Sequence, residues 1–211
     1  TQRKVVKEEK KQRYENTPYG HLFEQIFKNS YTTHPYKWTP IGEAQYIDQA
    51  TLPEFTDFYH TYYVPENATL SIGGDININQ ARGWIEKYFG SIPRGTKQII
   101  RPTIAEPAQT EERRVTYYDK VQLPAVAFSY HIPGQGTPDA YAVEMLTQIL
   151  SQGKSSRLQK EVVDKQQKAV YAGAFGISTE DPGLAVMFGV GNMGVTPEDL
   201  EKAMNAEVDK I

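Results

Sequence analysis

Ala169-Val170-Tyr171-Ala172-Gly173-Ala174-Phe175-Gly176-Ile177-Ser178 and Leu184-Ala185-Val186-Met187-Phe188-Gly189-Val190-Gly191 flank the turn Asp181-Pro182-Gly183. Both runs are rich in apolar and aromatic residues. The turn between them predicts a β-hairpin. Working outward, Arg113 to Tyr118 and Ala125 to His131 both read as strands, the latter with apolar alternation. Ala140 to Leu150 reads as a helix with Ala142, Met145, Leu146 and Ile149 inward, and Lys154 to Asp164 as another. Helices mixed with antiparallel strands in this order indicate an α+β fold rather than a doubly wound parallel sheet.

The first half continues the mixture. A long helix is predicted over about residues 4 to 29. A loop rich in Tyr, Thr, Pro and His follows from Ser30 to Gly42. Short helices are expected over Ala44 to Ala50 and Leu52 to Tyr63, the second capped by Thr51 with Pro53 in its first turn. Ala68 to Gly74 reads as a strand ending at glycines, and Asn77 to Phe89 as an amphipathic helix with Ala81, Trp84, Ile85 and Tyr88 at helical spacing. A proline-dotted connector runs from Ile92 to Pro107. Thr196-Pro197 opens a last helix, expected to run on to Ile211. Thr1-Gln2-Arg3-Lys4 lies inside a charged, helix-forming run without a cap. The chain is therefore expected to be a piece of a longer protein.

Composition narrows the function classes. The chain has 211 residues, 39% of them hydrophobic, 23% charged and 11% aromatic. Those fractions fit a globular protein and not a disordered chain. Net charge is −3, from 23 basic and 26 acidic residues. That balance argues against nucleic acid as a partner, which calls for a basic face. No apolar run is long enough to suggest a membrane span. The absence of cysteine excludes disulfides, thiol catalysis and thiolate metal sites.

Few side chains offer chemistry. The four histidines are His21, His34, His60 and His131, and none forms a close HxxxH pair. His21-Leu22-Phe23-Glu24-Gln25 falls one residue short of HxxEH, because Gln25 stands where a second histidine would bind. His34 and His60 lie among tyrosines and prolines and read as loop or packing residues. Gly73-Gly74-Asp75 reads as a strand exit. No GxSxG, P-loop or GxGxxG in strand–helix context occurs. Glu9 is more informative. On a helix stepping about 100° per residue with Val5 at zero, Val6 falls near about 100°, Glu9 near about 40° and Glu8 near about 300°. Glu9 thus projects between the valines. A carboxylate on a buried face needs a partner, whether a cation in a structural ion pair, hydrogen-bond donors or a metal.

Six ordered pieces carry a family resemblance: Arg3-Lys4-Val5-Val6-Lys7-Glu8-Glu9; Pro35-Tyr36 with Pro40-Ile41-Gly42; Phe58 to Ala68; Leu70-Ser71-Ile72-Gly73-Gly74-Asp75; Tyr88-Phe89-Gly90-Ser91-Ile92-Pro93; and Leu150 to Leu158. Together they resemble the M16 family of zinc metallopeptidases, the family of pitrilysin, insulin-degrading enzyme and mitochondrial processing peptidase. The resemblance implies a LuxS/MPP-like metallohydrolase fold, with a six-stranded antiparallel sheet flanked by helices. It implies that residues 1–63 are the helical end of a zinc-bearing half-domain with its connecting helices. Residues 64–211 would be a C-terminal-type αβ domain, cut short at its end.

The resemblance further implies Zn2+ as cofactor, bound in the family by the two histidines of an HxxEH motif upstream of Thr1 and by a third ligand. That third ligand aligns with Glu9. The family often carries a second glutamate seven residues before it, where this chain has Gln2. It also often carries an arginine and a tyrosine seven residues apart that hold substrate backbone. Here Tyr171 keeps the tyrosine and Asp164 stands in the arginine position. An acid cannot stabilise an oxyanion as arginine does. Tyr171 is thus either a substrate contact or a packed strand aromatic, and no catalytic residue is assigned. The expected partners are a peptide substrate and a second M16 half-domain or partner subunit. Two readings follow: part of an active zinc endopeptidase, inactive when excised, or a non-catalytic M16 partner subunit. An unrelated binding module would require six coincidences. The abundance of Tyr, Gln and Asn with no Cys hints at a bacterial periplasmic setting.

Overall fold

The computed structural model describes Gln2 to Ile211. Its helices, in chain order, are α1 Gln2–Lys10, α2 Leu22–Ser30, α3 Ala44–Gln49, α4 Leu52–Tyr62, α5 Ile78–Phe89, α6 Pro138–Ser151 and α7 Pro197–Val208. Its strands are β1 Ala125–Ile132, β2 Ala169–Ile177 and β3 Gly183–Gly191. The chain divides into two compact units. One comprises residues 2–4 with Gly42–Ile104, the other Val5–Ile41 with Ala105–Ile211.

The larger unit is built on the hairpin. β3 pairs antiparallel with both neighbours, giving the order β1-β3-β2. The α+β antiparallel reading is therefore correct. Alternation along each strand sends side chains to two faces. On one face, Ala172, Ala174 and Met187 join Leu150, Leu158, Val162, Leu200 and Met204 in the main core. A Cβ on Gly189 would come 2.7 Å from Met204 Sδ, so this glycine lets α7 lie close on β3. On the other face, Leu184 and Val186 pack with Ile26 and Tyr31 of α2 and its following loop. Thr137 and Thr196 cap α6 and α7 through their hydroxyls, which accept from the Ala140 and Asp199 N–H groups. Glu207, almost fully buried on α7, is satisfied by Arg157 at 3.3 Å and by Lys210.

The smaller unit is helical. Thr51 and Glu54 cap α4: the Glu54 carboxylate accepts from the Thr51 N–H at 2.7 Å and hydroxyl at 2.8 Å. These bonds hold its pKa below the ordinary range. Asn77 caps α5 by accepting from the Gln80 N–H. Arg3 reaches the carbonyls of Asp48 and Ala50 at the end of α3.

Several expectations need correction. The predicted helix over residues 4 to 29 is three pieces: α1, a π-helical stretch Lys11–Glu15, and α2. Pro18 cannot continue a helix, Tyr19 takes φ of 60°, and Gly20 lies so close to Tyr14 that a Cβ would sit 2.0 Å from its carbonyl oxygen. The helix over Lys154 to Asp164 is instead a π-helical stretch Leu158–Lys165 entered by a turn. On α6 only Leu146 of the four residues expected inward packs on the core; Met145 is 65% exposed, and Ala140, Thr147 and Leu150 are the buried set. α7 stops at Val208.

The runs 68–74 and 113–118 join no ladder among the described residues, and the sheet has three strands there instead of six. A strand exists only where a neighbour takes its backbone hydrogen bonds. Residues 113 and 114 still alternate as a strand would. Arg113 reaches the last carbonyls of α2, Asn29 and Ser30, while Arg114 forks onto Glu201 of α7 at 2.9 and 2.6 Å.

Candidate functional site

Glu9 lies near the end of α1, two residues before the π-helical stretch. Its carboxylate meets Arg13 at 3.1 Å with 41% of the side chain exposed. Val5 is 58% exposed, so the face on which Glu9 projects is not the buried one that the helical wheel suggested. Glu8 turns aside, as expected, and pairs with Lys11 at 3.0 Å. An exposed i,i+4 pair is worth only about 0.3–0.5 kcal/mol, so Arg13 does not lock Glu9 away from another cation. Gln2 is exposed at the start of α1.

The zinc implied by the resemblance can be tested against these residues. Among the described residues no three His, Asp or Glu side chains come together as a metal site. The described residues do not fit zinc by themselves. His21 pairs with Glu24 across one helical turn at 3.4 Å and stacks near Tyr117, which accounts for the HxxE pattern without a metal. His60 is exposed on α4 beside Tyr59.

Tyr171 stands on β2, whose outer edge has no strand partner among the described residues. It is half exposed, and its ring packs on Phe188 with centroids 5.0 Å apart. Asp164 is exposed in the π-helical stretch and accepts from Gln159 at 2.9 Å. Glu9 and Tyr171 lie in the same compact unit, and among the described residues no hydrogen bond, ion pair or ring contact joins them.

The most densely bonded group is one that sequence reasoning missed. The Glu106 carboxylate accepts from the N–H groups of Thr32, Thr33 and His34 at 2.6, 2.9 and 2.8 Å. It also accepts from the hydroxyls of Thr32 and Thr33 at 2.6 and 3.1 Å. Partial burial pushes its pKa up, but these donors outweigh it and hold the carboxyl at about 2. The loop so pinned clamps the hairpin turn. Tyr31 Oη donates to the Pro182 carbonyl at 2.9 Å, and the Asp181 N–H donates to Tyr36 Oη at 3.3 Å.

His34, buried as expected of a packing residue, completes the clamp. Its Nδ1 accepts from the Tyr36 N–H at 3.2 Å, which leaves Nε2 to donate to Asp181 at 3.3 Å. Burial, with Tyr36 and Glu106 nearby, pushes the Tyr31 phenol up to about 12. No local pattern could have joined Glu106 to residues more than seventy positions away. A cavity of about 240 Å³ is lined by His21 and Gln25, by Arg113, Tyr117 and Asp119, and by Ser129 of β1, among others.

The described residues thus form a helix-walled antiparallel sheet with an aromatic edge strand, and among them no group of His, Asp and Glu gathers as a metal site. Residues 49–211 match the family model described as the peptidase M16 inactive domain, and the chain belongs to that family. It is 35% identical to the zinc protease PqqE of Helicobacter pylori over 212 residues, covering 100% of this chain and 48% of that protein. It is 23% identical over 188 residues to the uncharacterized zinc protease YmxG of Bacillus subtilis, covering 89% of this chain and 44% of that one. A crystal structure of a protease from Helicobacter pylori superposes with a TM-score of 0.92 at 35% identity, over 99% of this chain and 51% of that chain. The periplasmic protease PqqL of Escherichia coli shares the fold alone, with a TM-score of 0.65 at 18% identity over 96% of this chain and 25% of that one. The chain spans about half the length of the curated relatives it matches. No helix among the described residues is long and apolar enough to cross a membrane.

Proposed function

We propose that this chain is a non-hydrolytic portion of an M16-type zinc endopeptidase. It supplies Glu9 as one zinc ligand and a wall of the substrate chamber, on which Tyr171 contacts the peptide. The observation that carries this reading is a peptidase-family scaffold whose described residues hold no cluster able to bind the metal alone; Glu9 enters as the ligand only through the resemblance of the Arg3–Glu9 stretch. Residues 1–63 then belong with the zinc-bearing half and residues 64–211 with the following αβ domain. A second half-domain or partner subunit completes the chamber, and the whole protein works outside the cytoplasm. The open edge of β2 suits the pairing of an extended peptide.

The test is zinc content per chain of the full-length protein by elemental analysis, beside a Glu9→Gln variant. Near one zinc in the wild type and a clear loss in the variant supports the reading. The 211-residue chain is expected to leave peptides uncut with zinc added, and cleavage by it would refute the non-hydrolytic assignment. A second reading, a non-catalytic partner subunit, is favoured by Asp164 in the arginine position and by Gln2. Absence of zinc from the full-length wild type would select it.

A further inference from the structure

Tyr171 lies in a pose that its neighbours in the sequence explain. Tyr171, Gly173, Phe175 and Ile177 alternate onto one face of β2. On that face Tyr171 packs on Phe188, Phe188 meets Phe175 edge-on at 6.2 Å, and Phe175 meets Phe23 of α2 at 5.8 Å. A Cβ built on Gly173 would fall 2.8 Å from the Tyr171 hydroxyl oxygen and 3.2 Å from two of its ring carbons. The phenol therefore lies down along its own strand, its hydroxyl over Gly173, and it buries that glycine. Any larger residue at 173 would lift the ring, because a separation under 3.0 Å cannot be held and the phenol is the part free to move.

We infer that Gly173 is the positioning residue of Tyr171: its missing side chain is what lets the phenol lie flat against β2 beside Phe188, with the hydroxyl held over the Gly173 backbone on that face of the sheet. This rests on the reading of Tyr171 as a peptide contact. A hydroxyl held over Gly173 offers its O–H at a fixed height above that face of the sheet to a peptide bound against it, whereas a raised ring carries it off. Phe188 supplies the other wall of the slot, since it stands opposite Gly173 in the β2–β3 register.

The experiment uses the full-length protein with Gly173→Ala, Tyr171→Phe and the double variant. Two readouts are taken: the ring-proton shifts of Tyr171 by NMR with labelled tyrosine, and KM against kcat for a peptide substrate. Gly173→Ala is expected to move the Tyr171 ring signals off their stacked position. It is expected to raise KM by up to about tenfold with kcat little changed, the signature of lost uniform binding. In the Tyr171→Phe background the same change should add nothing to KM. Unmoved ring signals in Gly173→Ala would overturn the inference. Moved signals with unchanged KM would uphold the positioning and refute Tyr171 as a peptide contact, so the two failures are distinguishable. If Gly173→Ala does not fold, Phe188→Leu must displace the ring signals and raise KM in the same way, and its failure to do so would also overturn the inference.

Discussion

Glu106 gathers five donors from three consecutive residues, and its chemistry sets a pH dependence. Its folded pKa of about 2 lies below the ordinary carboxylate value, so the ionised form is the one the fold favours. The stabilisation is fully present above the unfolded pKa of about 4.3 and is lost as pH falls from there through about 2. Glu106→Gln keeps the shape but removes the charge and leaves N–H groups without an acceptor. Because the carboxylate is part exposed and screened, we expect a loss of about 1 kcal/mol at pH 7. Thermal unfolding should show that the gap between wild type and variant closes by about pH 2. A gap unchanged between pH 7 and pH 2 would refute the assignment. Glu9 shows a different limit of sequence reading at this scale. Its direction on the helix was legible from 100° steps, but the exposure of Val5 beside it was not, because burial depends on what packs against the face.

Hairpin closure is an element-scale matter, and here the sequence was explicit about the outcome and silent about one cause. Asp181-Pro182-Gly183 announces a turn, and β2 and β3 pair across it. Gly183 is needed for more than turn flexibility: a Cβ there would lie 2.0 Å from the Ile177 carbonyl oxygen, where backbone meets backbone and neither side yields. Gly183→Ala should cost about 1–3 kcal/mol by forcing the strands apart. Gly176→Ala, whose nearest neighbour is a methyl carbon at 4.0 Å, should cost less than half as much. Urea unfolding of both variants checks the pair, and equal losses would show that strand propensity rather than close approach governs both sites. The other elements divide on the same line. Caps at Thr51 and Thr196 are local chemistry, and those helices start where the sequence said, whereas α6, capped by Thr137, begins at Pro138, two residues before the expected Ala140. The break at Pro18-Tyr19-Gly20 carried turn residues too, but apolar periodicity on both sides of it masked them. The runs 68–74 and 113–118 have strand composition without a ladder, since pairing is a property of two segments and composition belongs to one.

For the whole molecule, burial is distributed unevenly between the two compact units. The larger unit holds both core clusters, with Leu150, Leu158, Leu184, Leu200 and Met204 fully buried. In the smaller unit Ala81 is the one buried hydrophobic side chain among the described residues, while Leu52, Phe58, Trp84, Tyr88 and Ile100 stand exposed. Full burial of a large apolar side chain is worth about 1.5–3 kcal/mol, so the smaller unit gains little of what holds the larger one together. Its helices rest on caps and on exposed polar pairs such as Asp57–Lys97, and helices of 11 and 12 residues are marginal on that basis. The family resemblance was legible along this whole stretch because motifs record residue types, whereas stability follows from which faces are covered. Hydrogen exchange by mass spectrometry on the 211-residue chain should therefore resolve two levels. Amides of β3 and α7 should exchange only through global unfolding, while those of α4 and α5 should exchange many times faster through local opening. Uniform protection across α4, α5, β3 and α7 would mean that the units unfold as one cooperative body, and the uneven burial would then carry no consequence for stability.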